Sequence, residues 1–483
     1  MTTEAMTAGE MEITGITCDS RRVEPGYLFA AIPGTQLDGR RFIPDAVERG
    51  AIAVLGPPGT SALDAFPDVS IITDDDPRRL YALMAARFFA LQPKTIAAVT
   101  GTSGKTSTAH FLRQIWNRLG MPAAAMGTLG LHASAADGRD LLPTDDKALT
   151  TPDAADLHRQ LRQLAESGIE HLVMEASSHG LDQRRLDGVR VSAAAFTNLS
   201  HDHLDYHGDE ATYLDAKLRL FRDLVVPGGA AVVNADQRFA DAVVSACQGR
   251  GLPVLRFGAK GDRVRLTDVS PRADGQAVSL EIDGTAYETD LGLVGGFQVS
   301  NVLCALSLAL VTGAMPGDAV ATLRGLRGAP GRMQLIGAAR GGATVYVDYA
   351  HKPDALRAAL QALRPHTQGK LGVVFGCGGD RDRAKRPVMG EIADGLADLV
   401  VVTDDNPRSE DAAAIRREIM TACPASTEVG DRRSAIAAGL DALSAGDILL
   451  VAGKGHETGQ IVGDETLPFN DADVVRDLVG GGT

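Results

Sequence analysis

Residues 95–108, Thr-Ile-Ala-Ala-Val-Thr-Gly-Thr-Ser-Gly-Lys-Thr-Ser-Thr, carry the densest set of groups able to hold phosphate. An apolar run at 96–99 enters a turn of Gly101, Thr102, Ser103 and Gly104. Lys105, Thr106 and Ser107 follow, and then Ala109, Leu112, Ile115, Trp116 and Leu119 at helical spacing. A strand, a glycine turn, a Lys-Thr pair and a helix, in that order, present backbone N–H groups and a helix N-terminus to an anion. The lysine adds a point charge and the threonine hydroxyl a ligand for Mg²⁺. The longer form of the motif has glycine where this chain has Val99, so the match is the short form Gly-x-x-Gly-Lys-Thr.

Other segments offer chemistry with a plainer alternative beside it. Glu175 closes the apolar run 172–174. Ligands of open α/β sheets bind beyond the carboxyl ends of strands, so a carboxylate there suits Mg²⁺ near a phosphate; otherwise it caps a helix or pairs with a cation. Residues 197–207 contain His201, Asp202, His203, Asp205 and His207, with no cysteine nearby and no His-Glu-x-x-His pattern. That composition favours one histidine on a nucleotide-bound divalent ion over a dedicated zinc site. Lys217, in the helical stretch 213–220, reads by itself as a solvated helix lysine. Asp348-Tyr349-Ala350-His351 leaves a strand and precedes Pro353, as a plain N-cap turn also does. Gly376-Cys377-Gly378-Gly379-Asp380-Arg381-Asp382-Arg383 is either a second anion site or a loop with solvated charges, and Asp405-Asn406-Pro407-Arg408 is an ordinary turn starter.

The elements that must position these groups form an alternating pattern. At 483 residues the chain has room for about three domains of roughly 150 residues. Short strands and helices at 27–32, 43–49, 51–55 and 70–73, with Pro-Gly punctuation, predict a small α/β module over 1–88. Strands at 96–99, 172–175, 193–198 and 230–234, separated by helices, predict a doubly wound parallel sheet within 89–330. Between 264 and 293 the apolar period becomes two, with Asp283-Gly284 at a turn, which predicts a small antiparallel sheet, followed by a helix at 299–311. From 331 to 483 strands at 344–347, 371–375, 399–403 and 448–451 alternate with helices at 353–363, 388–396 and 412–420, a Rossmann-like pattern.

Composition narrows the class. A net charge of −14 excludes a general nucleic-acid binder, which needs a basic footprint. Hydrophobic residues at 44% and charged residues at 23% are those of a globular chain, and no apolar run nears the roughly 20 residues of a membrane helix. The first residues lack a basic, then apolar, secretory pattern, and Cys18, Cys247, Cys304, Cys377 and Cys423 are dispersed, so the expectation is reduced thiols in a cytoplasm.

Together the motifs resemble the Mur ligases, and among them the members that add the third residue of the peptidoglycan peptide. Those motifs include Asp19-Ser20-Arg21, Asp38-Gly39-Arg40-Arg41-Phe42-Ile43, Gly-Thr-Ser-Gly-Lys-Thr, Thr150-Thr151-Pro152-Asp153 and the Glu-Ala-Ser-Ser-His-Gly-Leu from Glu175. They continue with Thr-Asn-Leu-Ser-x-Asp-His-Leu-Asp-Tyr-His-Gly from Thr197, Gly296-Phe297-x-x-x-Asn301 and Pro330-Gly331-Arg332-Met333. Asp-Tyr-Ala-His, Asp-Asn-Pro-Arg and Gly453-Lys454-Gly455-His456-Glu457 complete the set.

The resemblance implies ATP-dependent amide formation through an acyl phosphate, joining meso-diaminopimelate to UDP-N-acetylmuramoyl-L-alanyl-D-glutamate. The related alternatives are a ligase adding L-lysine and one like folylpolyglutamate synthase. It also implies roles. The turn residues 101–107 with Asn301, Arg332 and Asp348 would hold ATP, and Thr106, Glu175, His203 and a carbamylated Lys217 would hold Mg²⁺. Lys105, Lys217 and His203 would be catalytic. Ser20, Thr150, Thr151, Ser177, Gln183 and Arg185 would hold the muramoyl dipeptide. Arg381, Asp405, Asn406, Pro407, Arg408, Gly453 and Glu457 would hold diaminopimelate. The expected partners are these small molecules alone, with neither nucleic acid nor membrane, for a monomer. Ser103 and His201 stand where the family commonly has asparagine and arginine.

Overall fold

The computed structural model describes residues 12–34, 37–61, 67–135, 137, 139–141, 149–272, 275–339 and 341–480. The reading of the first residues lies outside them. The chain divides into two compact units, Met1–Thr102 with Gly120–Ala231 and Asp241–Val254, and Ser103–Leu119 with Val232–Ala240 and Leu255–Thr483.

The first unit begins with a parallel sheet in the order Gly15–Thr17, Tyr27–Ala30, Ala53–Gly56, Ser70–Thr73. Helix Pro77–Phe89 starts with proline in its first turn, and the Asp76 carboxylate caps it at the Arg79 N–H. It buries Tyr81, Ala82 and Ala85 with Leu28, Ala30, Ala53 and Leu55 of the sheet. A second run of strands follows in the order Val225–Asn234, Val191–Phe196, Thr95–Thr100, His171–Glu175, Ala123–Gly127, Gly130–Ser134. Thr95–Thr100 is parallel to both neighbours, and Ile96 to Val99 are fully buried, as a strand covered on both faces demands. The strand order reverses there, and an open sheet forms its ligand crevice at such a point.

In the second unit, helix Lys105–Arg118 packs against helix Gly296–Val311 and buries Phe111, Leu112, Ile115 and Trp116. The Asp-Gly signal holds: Asp283 (φ +48°) and Gly284 (φ +84°) turn strand Gly275–Ile282 into Thr285–Leu291. One expectation needs correction. These strands are not a separate small sheet, because Val264–Arg272 pairs antiparallel with one of them and parallel with Val254–Gly258, so they extend a larger sheet. The last sheet has the order Gln334–Ala338, Thr344–Asp348, Ile448–Ala452, Leu371–Phe375, Leu399–Val402, Thr427–Glu428, parallel except for its first strand. Ile448–Ala452 returns between Thr344–Asp348 and Leu371–Phe375, so a second crevice opens where Asp348, Gly376 and Gly453 leave their strands.

Candidate active site

The glycine turn at 101–104 is shaped by its neighbours. Gly101 (φ +143°) leaves no room for a Cβ beside Thr197 Oγ1, and the Thr102 N–H donates to Asn198 O at 2.9 Å. Gly104 (φ +85°) caps helix Lys105–Arg118, and a Cβ there would strike Asn301 Oδ1. Glycine at both positions follows from left-handed or crowded backbone. Lys105 is half-buried, Thr106 and Ser107 are buried, and Ser103 is exposed.

Lys217 is not a solvated lysine. It is 1% exposed in helix Glu210–Arg219; its ammonium donates to Gly101 O at 2.9 Å and lies 4.3 Å from the Tyr213 ring centroid. Burial pushes the Tyr213 phenol up to about 12. A π-helical turn, Leu220–Leu224, continues that helix, a feature often found beside functional positions.

Glu175 ends its strand buried, accepting from Thr128 N at 2.8 Å and from Thr128 Oγ1 at 3.2 Å. Gly127 lets the carboxylate approach, since a Cβ there would collide with Oε1. Thr128 Oγ1 also meets Thr150 Oγ1 at 3.2 Å. Thr151 Oγ1 donates to Glu175 O at 2.9 Å and accepts from the Ser177 N–H at 3.1 Å. Arg185 donates to Thr151 O and to Gln183 Oε1, each at 2.7 Å, and the Gln183 amide donates to Tyr206 OH at 3.1 Å. Thr150, Thr151, Ser177, Gln183 and Arg185 therefore form one connected polar surface with Glu175.

Ser20 is buried in the 3₁₀ turn Ser20–Arg22 that Asp19 caps. Two residues earlier, the Cys18 thiol donates to Asp153 Oδ2 at 3.2 Å, and Tyr81 OH donates to Asp153 Oδ1 at 2.9 Å. His203 adopts φ +54° ahead of the short helix Leu204–His207. Its exposed ring stands 5.0 Å from that of His179, whose pKa burial and Arg185 push down. His201 is exposed.

The proposed adenosine contacts are linked. The Asn301 amide donates to Gln298 Oε1 at 3.1 Å, and the fully buried Gln298 amide donates to Arg332 O at 3.3 Å. The Arg332 guanidinium lies 4.6 Å from the Tyr349 ring centroid, with His456 5.0 Å from that ring. Burial and Arg332 push the His456 imidazole down to about 4. Asp348 accepts from Met333 N at 2.7 Å, and burial pushes its carboxyl up to about 6, partly countered by Arg332. A raised folded value gives a stability contribution that is complete below the ordinary 3.8 and lost as pH rises through about 6. The melting temperature of the wild type relative to Asp348→Asn is therefore expected to fall as pH climbs through that window; parallel curves would exclude this assignment.

The last group gathers on two loops and a hairpin. Arg408 (φ +53°) donates from Nη1 to Gly379 O at 2.8 Å, and the Gly379 N–H donates to Asn406 O at 2.9 Å. The hairpin of Gly459–Val462 and Glu465–Pro468 clips onto the same residues: Gln460 Nε2 donates to Asp405 O at 2.7 Å, and Arg408 N to Ile461 O at 3.1 Å. Asn406 Nδ2 donates to Glu457 Oε2 at 2.9 Å. Asp405 is 9% exposed with Oδ2 buried and unpartnered, beside Gly453 (φ +121°). Pro407 is buried, whereas Arg381 is exposed on the neighbouring loop and makes none of these bonds. Sequence reasoning did not assign Thr128, Gln298 or Lys454 a role, since an isolated polar residue in an apolar or glycine-rich stretch carries no periodic signal.

The glycine turn leaves one parallel sheet at its reversal point, and a second α/β sheet has a crevice of its own. Family models match in three stretches: "Mur ligase family, catalytic domain" over 12–89, "Mur ligase middle domain" over 99–309, and "Mur ligase, glutamate ligase domain" over 331–455. The chain belongs to the Mur ligase family. It is 52% identical over 466 residues to the UDP-N-acetylmuramoyl-L-alanyl-D-glutamate--2,6-diaminopimelate ligase of Brucella melitensis, covering 96% of this chain and 93% of that one. The protein of the same name from Bradyrhizobium diazoefficiens is 53% identical over 472 residues, covering 96% and 94%. A solved structure carrying that name is 33% identical with a TM-score of 0.72, covering 97% of this chain and 95% of that chain. A folylpolyglutamate synthase of Mycobacterium tuberculosis, 20% identical with a TM-score of 0.64 over 83% of this chain and 95% of that chain, shares the fold. No helix among the described residues is long and apolar enough to cross a membrane.

Proposed function

We propose that this chain is the ligase that joins meso-diaminopimelate to UDP-N-acetylmuramoyl-L-alanyl-D-glutamate at the expense of ATP, as a monomer in a cytoplasmic step of peptidoglycan precursor synthesis. The observation that carries the reading is the group Asp405–Arg408, Gly453 and Glu457, a guanidinium and carboxylates fixed at one sheet crevice, in a chain about half identical to ligases of that name. The working division is 1–88 for the uridine end, 89–330 for ATP and 331–483 for the amino acid.

In this reading the γ-phosphoryl group passes to the substrate carboxylate, and the amine then attacks the acyl carbon and expels phosphate. Lys105 and the N–H groups of residues 101–107 stabilise negative charge as it spreads over the transferring oxygens. Asn301, Arg332 and Asp348 orient the nucleoside. The connected surface of Thr150, Thr151, Ser177, Gln183 and Arg185 aligns the dipeptide, with Ser20 at the uridine end. Glu175 and Thr106 offer the oxygen donors a hard cation takes, with His203 and a carbamylated Lys217 completing the set. Mg²⁺ held there would neutralise phosphate charge. For the carbamate, Lys217 must first lose a proton so that its nitrogen lone pair can attack CO₂; the N–H that remains can still donate to Gly101 O.

The test compares kcat/KM for meso-diaminopimelate and L-lysine, with phosphate release as the readout. Diaminopimelate carries a carboxylate beside its distal ammonium, and Arg408 can pair with it in two bonds. Wild type is expected to prefer diaminopimelate by about a hundredfold or more, because lysine would leave that guanidinium unpaired. Arg408→Ala should lose roughly 30-fold or more for diaminopimelate alone. Equal efficiency on lysine in the wild type would defeat the reading.

A further inference from the structure

We infer that Lys454 is a positioning residue for the amino-acid substrate: its buried ammonium fixes the orientation of Asn406 and holds the Glu457 carboxylate in place. The inference rests on the reading of those two residues as substrate contacts.

Lys454 follows Gly453 at the carboxyl end of strand Ile448–Ala452 and is 0% exposed. Lysine is almost never so buried without a partner, because its ammonium loses its hydration. Here Nζ donates to Asn406 Oδ1 at 2.9 Å and to Glu457 Oε2 at 3.1 Å. The Ile461 N–H donates to the same Asn406 oxygen at 2.9 Å. Two donors on one side fix which end of the amide is oxygen, so Nδ2 must face Glu457 and donates to its Oε2 at 2.9 Å.

Glu457 Oε2 thus receives two hydrogen bonds, one from a cation, while Oε1 makes neither and stays available to an incoming ammonium. No other cation serves this carboxylate among the described salt bridges. The nearby Arg432 is committed to Asp471, at 2.7 and 2.8 Å with both side chains fully buried. Replacing Lys454 would leave Asn406 Oδ1 held by the Ile461 N–H alone and the half-buried Glu457 carboxylate without its counter-charge. The damage should therefore fall on amino-acid binding.

Lys454→Met and Lys454→Gln are to be compared with wild type by varying each substrate in turn. Loss of a charge-assisted hydrogen bond on this scale predicts a rise of about tenfold or more in KM for meso-diaminopimelate. KM for ATP and for the muramoyl dipeptide should stay within about twofold, with kcat at saturating diaminopimelate largely kept. A merely structural lysine would lower the melting temperature without moving one KM apart from the others, and that result would overturn the inference. Failure of both variants to fold would likewise overturn it, placing Lys454 in the framework of the domain. Wild type that does not use diaminopimelate would instead refute the underlying amino-acid reading.

Discussion

Lys105→Ala should lose turnover by about 10²–10³-fold while its circular dichroism and melting temperature stay close to wild type. Lys105 opens helix Lys105–Arg118 and is only half-buried, and the helix is anchored elsewhere by Phe111, Leu112, Ile115 and Trp116. Its removal therefore opens no core cavity. What is lost is a positive charge at the helix N-terminus, where a phosphoryl group gains charge during transfer. Phosphate release at saturating substrates is the measurement. Near-normal turnover would remove the phosphate role from this turn.

Lys217→Ala is the second variant expected to be nearly inactive, by about a hundredfold or more. Two accounts of this lysine predict different behaviour afterwards. If its ammonium serves only by gripping Gly101 O against the Tyr213 ring, added carboxylic acids cannot replace it. If it works as a carbamate, short-chain carboxylates should restore part of the rate in a concentration-dependent way, because they bring back oxygen donors for the cation. We expect rescue. A fully active alanine variant would show that the lysine does not take part, and inactivity without rescue would leave the grip on Gly101 as its whole role.

Much of this molecule is legible in its sequence where residue type and local order coincide. The run 95–108 shows strand, turn and helix because its glycines fall where the backbone has positive φ, and Asp283-Gly284 marks a hairpin for the same reason. The strand Ala123–Gly127 is not legible, because alanine has little strand preference and only neighbours on both sides make it one. The hold of Thr128 on Glu175 and that of Lys454 on Asn406 join residues 47 and 48 positions apart, the first through adjoining strand ends and the second across the strand between. Lys217 misleads in isolation: nothing in its flanks tells that the helix turns this residue inward.

The hairpin clipped onto residues 405–408 bears on any attempt to transplant substrate choice between ligases. Arg408 keeps its positive φ because its N–H is taken by Ile461 O and its carbonyl by Gly463 N. Exchanging the four letters Asp-Asn-Pro-Arg alone would carry over the side chains and leave behind the scaffold that aims them. A chimera built to change the amino acid would therefore be expected to need the hairpin as well as the tetrapeptide, since Gln460 and the Ile461 N–H hold residues 405 and 406 from some 50 positions away.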